Sequence, residues 1–144
     1  MSCSATRSII YIVMAIQNMK NPESDHIFCF KEDSSKEGRT LSHVQVGGVF
    51  MSRLVIDPGV VTGNYFYTNT HVLMSIESGT VVARFEHVHT KEKRELQLKP
   101  GEELVEIPKK VASATKNIGN EKAVIVFFSD KPLRTSEAFH YKVF

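Results

Sequence analysis

The chain has 144 residues, 42% of them hydrophobic, and a formal net charge of +2. That length fits one domain, which buries about two thirds of the surface its unfolded chain exposes. The apolar content excludes a disordered chain, and cations alternate with acids, as in KEKRELQLKPGEE, so no basic stripe marks a nucleic-acid partner.

The two cysteines, Cys3 and Cys29, form no CxxC pair, and no N-x-S/T acceptor occurs, which points to a reducing, cytoplasmic setting. The first apolar run, SIIYIVMAI over residues 8–16, is too short to span a bilayer, so no membrane partner is expected. QNMKNP follows it in place of a small-x-small cleavage site, and its Ile, Tyr and Val content favours a strand. Alternation puts Ile10, Ile12 and Met14 on one face and Ile9, Tyr11 and Val13 on the other, so both faces need cover. Such a strand suits the open sheet edge of a second copy. Residues 1–23 are therefore expected to be an arm in a homodimer contact, and residues 24–144 a single domain. The alternative is that the arm packs on its own domain.

Strand signals recur along the chain. HIFCF (26–30) precedes a polar stretch over 32–40 that reads as a mobile loop. VGGVFMSRLVI (46–56), YFYT (65–68), HVLMSI (71–76) and TVVARFEHV (80–88) follow, then RELQLK (94–99), EELVEI (102–107), KAVIVFF (122–128) and AFHYKV (138–143). Several alternate: Val81, Ala83 and Phe85 point one way, Val82, Arg84 and Glu86 the other. Turn residues divide the strands at Asp57-Pro58-Gly59, Ser78-Gly79, Pro100-Gly101 and Ile118-Gly119-Asn120. Short helices have room only at 14–20 or after Pro132. Short strands with turns every few residues predict an all-β antiparallel sandwich or barrel.

Within that pattern two segments resemble the paired signatures of the cupin superfamily. The first spaces a Gly, five residues, His-x-His, three or four residues, Glu, six residues and Gly. Here Gly59 is followed at those spacings by Tyr65-Phe66-Tyr67, Val72 and Gly79. The second spaces a Gly, five or six residues, Pro-x-Gly, two residues, His, three residues and Asn. Here Gly101 is followed by Pro108-Lys109-Lys110, Ser113 and Asn117. Gly59 and Gly79 are expected to close turns that a Cβ would crowd. A strand repeats every two residues, so positions 65 and 67 share one face. The resemblance covers about residues 46–130 and implies a jelly-roll barrel of two antiparallel sheets, in which positions 65, 67, 72 and 113 converge on a metal. This chain has Tyr65, Tyr67, Val72 and Ser113 there. Valine offers no donor, a serine hydroxyl is a poor one, and each phenol ionises only near pH 10. No metal and no cofactor is therefore expected. His87-Val88-His89 is a second His-x-His, but it runs into KEKRE and reads as a hairpin tip.

The wording around the frame is similar to the small cupins of bacterial polysaccharide biosynthesis, which include sugar-nucleotide epimerases and ketoisomerases. It is carried by VIDPGVVTGN, ESGTVVARFEH, ELQLKPGEELVEIPKKV, NIGNEKAVIVFFSDKP and SEAFHYKVF. The resemblance implies a carbohydrate-like ligand, a nucleotide sugar above all. Tyr65, Tyr67, His71 and Ser113 would line its pocket, and Arg53 and Arg84 would meet phosphates. In the isomerases the strand histidines move protons next to a ketone; with tyrosines there, the chain is expected to be either a binding homologue or an altered, metal-independent isomerase. The alternative is a non-catalytic homodimerisation module, like the ligand-less cupin that ends centromere protein C. An open polar barrel favours the first reading; a barrel filled by Tyr65 and Tyr67 favours the second.

Overall fold

The computed structural model describes residues 30–101, 103–134 and 137–144. The expected arm over 1–23, the helix at 14–20, both cysteines and all of HIFCF except Phe30 lie outside them. Eleven strands and no helix occupy the described residues, including those after Pro132.

Two antiparallel sheets face each other. The first has six strands in the order β1 (Lys31–Asp33), β2 (Arg39–Val46), β3 (Val49–Ile56), β10 (Ala123–Ser129), β5 (Val72–Ser78) and β8 (Val105–Ile107). The second has five, in the order β11 (Ala138–His140), β4 (Val61–Tyr67), β9 (Val111–Asn117), β6 (Val81–His87) and β7 (Lys93–Leu98). Late strands insert between early ones, β10 between β3 and β5 and β9 between β4 and β6, which is the crossing pattern of a jelly roll. The core between the sheets holds Leu54, Ile56, Met74 and Ile76 from one side and Val81, Ala83 and Phe85 from the other. Period two explains the sorting: the intervening Arg53, Val55, Ser75, Val82 and Arg84 stay at the outer faces.

The structure corrects two local expectations. Residues 39–46 form β2 and residues 31–33 form β1, so the polar stretch is a loop only over 34–38. The run 46–56 is likewise two strands, joined in a hairpin at Gly47-Gly48. The two signature glycines also differ from each other. A Cβ on Gly79 would lie 2.8 Å from Ala123, so that turn is crowded as expected. A Cβ on Gly59 would meet nothing within 4 Å, and its glycine is required only by a φ of +78°.

Asn117 explains the last residue of the second signature. Its side chain is 1% exposed and joins three segments. Nδ2 donates to the carbonyls of Ile56 (3.0 Å) and Glu121 (2.7 Å), and Oδ1 accepts from the Gly119 amide (2.9 Å). The end of β3 and the turn before β10 are thereby fixed directly to β9.

Candidate functional site

A cavity of about 760 Å³ lies between the sheets, and Tyr65, Tyr67, Val72 and Ser113 all line it. The four signature positions therefore converge, as their spacing requires. Leu41, Leu54, Met74, Phe85, Ile107 and Phe127 form the apolar wall. Lys36, Glu37 and Arg134, all exposed, mark the mouth.

A bulge aims Tyr65 inward. The register between β4 and β9 shifts between Gly63 and Tyr65, which sets Tyr65 opposite Ser113. Asn64 takes up the extra residue at φ 64°, a conformation that Asn tolerates better than most side chains. Its Oδ1 accepts from the amides of Val143 (2.8 Å) and Phe144 (3.1 Å), and its carbonyl accepts from the Tyr141 amide (2.8 Å). The C-terminal residues thus hold the bulge from outside. Gly63 faces the other strand so closely that a Cβ would sit 2.8 Å from the Ser113 carbonyl.

The two phenols are held differently. Tyr67 donates its hydroxyl to the Leu133 carbonyl at 2.8 Å. Burial, with a smaller contribution from Tyr65, raises its pKa from 10.0 to about 12. The Tyr65 hydroxyl lies 3.5 Å from Lys36 Nζ as acceptor, and its ring meets the His140 ring edge-on at 5.6 Å. Thr62 and Thr115 share a buried hydroxyl–hydroxyl bond of 3.0 Å in the cavity wall.

This donor set does not fit a transition metal. Position 72 is a buried valine, position 113 a hydroxyl, and Tyr67 keeps its proton to high pH. No group of three or more His, Cys, Asp or Glu side chains with metal-holding geometry occurs among the described residues. At the other His-x-His, His87 Nδ1 accepts from the amides of His89 (3.3 Å) and Thr90 (3.2 Å), which spends one ring nitrogen on closing the hairpin.

The structure does not bring the other expected residues to the cavity. His71 stands exposed just before β5, with Nδ1 3.9 Å from Glu106. Arg53 is on the outer face of the six-stranded sheet, bonded to Glu77 at 2.9 Å. Arg84 is on the outer face of the other sheet, bonded to Glu95 at 2.6 Å with its guanidinium 4.1 Å from the centre of the Phe144 ring. The cavity's positive charge comes instead from Lys36, Arg39 and Arg134. Arg39 escaped the sequence reading because its strand was read as loop. Once Leu41 is placed inside, period two brings Arg39 in with it.

No protein-family model matches the chain, and neither does any curated protein. Solved structures do. The capsular polysaccharide assembling protein CapF from Staphylococcus aureus superposes with a TM-score of 0.72 at 19% identity, over 85% of this chain and 37% of that one. The Bacillus subtilis oxalate decarboxylase, described with Mn(II) centres, gives 0.65 at 16% identity over 76% and 30%. An oxalate oxidase gives 0.60 at 17% over 68% and 53%. The chain spans little more than a third of the CapF length. At these identities the likeness shows the fold alone, a jelly roll of two antiparallel sheets.

Proposed function

We propose that this cupin-fold protein binds a nucleotide sugar or a related carbohydrate in its barrel without a metal, and does not isomerise it. The observation that carries the reading is the open cavity itself. A cupin that had lost its ligands to become purely structural is expected to fill that space. Here Tyr65, Tyr67 and Ser113 leave it open and line it with hydroxyls, set in an apolar wall that suits the faces of a sugar ring. The fold likeness to a capsular polysaccharide assembling protein supports the same ligand class.

Catalysis of the isomerase kind needs a base beside the reacting carbon. No histidine lines the cavity among the described residues. Tyr67, its pKa raised to about 12 by burial, stays protonated at neutral pH and so is not available as that base. The alternative reading, a self-association module, would gain support from a filled barrel.

The test is a calorimetric titration with a panel of nucleotide sugars, repeated in heavy water with NMR. Binding is expected, without exchange of sugar carbon-bound hydrogen. Tyr65→Phe is expected to weaken binding by about 1 kcal/mol, the typical worth of one hydrogen bond. Failure of every nucleotide sugar and free sugar to bind at millimolar concentration refutes the reading; deuterium entering the sugar refutes its non-catalytic part.

A further inference from the structure

Arg39 begins β2 on the same inward face as Leu41 and lines the cavity. Its Nε is buried and has no hydrogen-bond partner among the described residues. A buried guanidinium nitrogen left without an acceptor costs more than an ordinary lost hydrogen bond, so it is rarely kept without a use. Two further cations stand with it at the mouth. Lys36 Nζ reaches toward the Tyr65 hydroxyl and lies 5.5 Å from the centre of that ring. Arg134 is held by Asp33 in an ion pair. Glu37 is the one carboxylate among the described lining residues. Burial first, and then the nearness of Arg134, disfavour the charge on Arg39, while Asp33 and Tyr65 support it. Like charges gathered at the edge of a low-dielectric wall are stabilised by an anion placed between them.

We infer that the bound molecule carries an oxyanion, a phosphate or a carboxylate, and that this group docks at the cavity mouth on Arg39 and Lys36. The inference rests on the barrel-binding reading and assigns the anion a place different from Arg53 and Arg84. Those two already spend their guanidinium groups on Glu77 and Glu95 outside the barrel. The Arg39 Nε has no acceptor among the described residues, and a planar guanidinium fits the two oxygens of a phosphate or carboxylate together. With the anion at the mouth, the uncharged part of the ligand points down toward Tyr67 and Ser113.

The experiment titrates the full chain with inorganic pyrophosphate, glucuronate and glucose, and with the nucleotide sugars above. Arg39→Gln and Lys36→Gln are compared with Arg53→Gln as a control, each checked for an unchanged melting transition. At least one anion is expected to bind more tightly than glucose. Arg39→Gln should weaken it roughly 10- to 100-fold, as loss of a charged hydrogen bond does, and Arg53→Gln should leave it within about 2-fold. Pyrophosphate binding alone identifies a phosphate ester as the ligand; glucuronate binding alone identifies a sugar acid. If Arg39→Gln does not fold, Lys36→Gln carries the test, through weaker anion binding and a shallower salt dependence. Anion binding that is equal in wild type and both cavity variants overturns the inference. So does glucose binding as tightly as either anion, an outcome that leaves the carbohydrate reading intact. An anion held through Arg39 with every sugar rejected removes the carbohydrate reading and keeps the anion site.

Discussion

At the level of single residues, Tyr67 and Lys110 show how the departures from the usual cupin signatures are accommodated. Tyr67 carries its proton to about pH 12 because its phenol is buried, whereas the unfolded chain releases it near 10.0. Between those values the unfolded state binds fewer protons, so stability is full below pH 10 and falls as pH rises toward 12. Tyr67→Phe is expected to flatten that slope, at a cost of about 1 kcal/mol at neutral pH for the lost bond to Leu133. Denaturation curves of both proteins from pH 9 to 12, with the ultraviolet absorbance of phenolate, check this; an equal slope in both contradicts it. Lys110 occupies the place of the glycine in Pro-x-Gly, at φ 63°. A side chain there costs about 1–2 kcal/mol, partly returned by the smaller chain entropy of a non-glycine residue. The turn's bonds are made by backbone, from the Lys110 amide to the Tyr67 carbonyl (2.7 Å) and from the Val88 amide to the Lys110 carbonyl (3.0 Å). Lys110→Gly keeps both and is expected to stabilise the fold by about 0.5–1 kcal/mol, read as a higher urea midpoint at constant slope. A lower midpoint would show that the lysine side chain contributes more than its backbone costs.

Among the elements, the strands legible in the sequence are those whose inner face is apolar. The alternation of Val81, Ala83 and Phe85 announces β6, and the run from Ala123 to Phe128 announces β10. The strands β2 and β9 gave no such signal, because their cavity-facing positions include polar residues. On β2 the inward positions begin with Arg39 and Leu41, and on β9 they include Ser113 and Thr115. A strand facing a void that admits solvent and ligand need not be apolar on either face, so the periodic signal fades where the function lies. The convergence of positions 65, 67, 72 and 113 was legible for a different reason: it depends on spacing, which survives replacement of the side chains. The position of Arg84 was legible too. The alternation that turns Ala83 and Phe85 inward turns Arg84 out, against its expected role in a pocket. Asn64 was not legible, since its bulge depends on amides of Val143 and Phe144, nearly eighty residues away.

For the whole molecule, we expect a homodimer. The segment over residues 8–16 lies outside the described residues, and its sequence has apolar side chains at both strand faces. The six-stranded sheet offers it a place. At its edge, β1 pairs with only Leu41, Ser42 and His43 of the eight-residue β2. The rest of that side of β2 has no ladder partner among the described residues, and an unpaired edge invites another strand. Beside it the outer face of the sheet carries Met51, Val126 and Phe128, half-buried, and Leu73, exposed, which together give an added strand or a facing copy an apolar surface. A strand from a partner would pair the edge and cover its own apolar sides in one step, and a two-fold axis would make the exchange mutual. Its own chain could fill the same edge, and the two arrangements separate cleanly in solution. Sedimentation at micromolar concentration should give a dimer, and deletion of residues 1–18 should give a folded monomer. A wild-type monomer, or a dimer untouched by the deletion, would place the arm on its own barrel or the interface elsewhere.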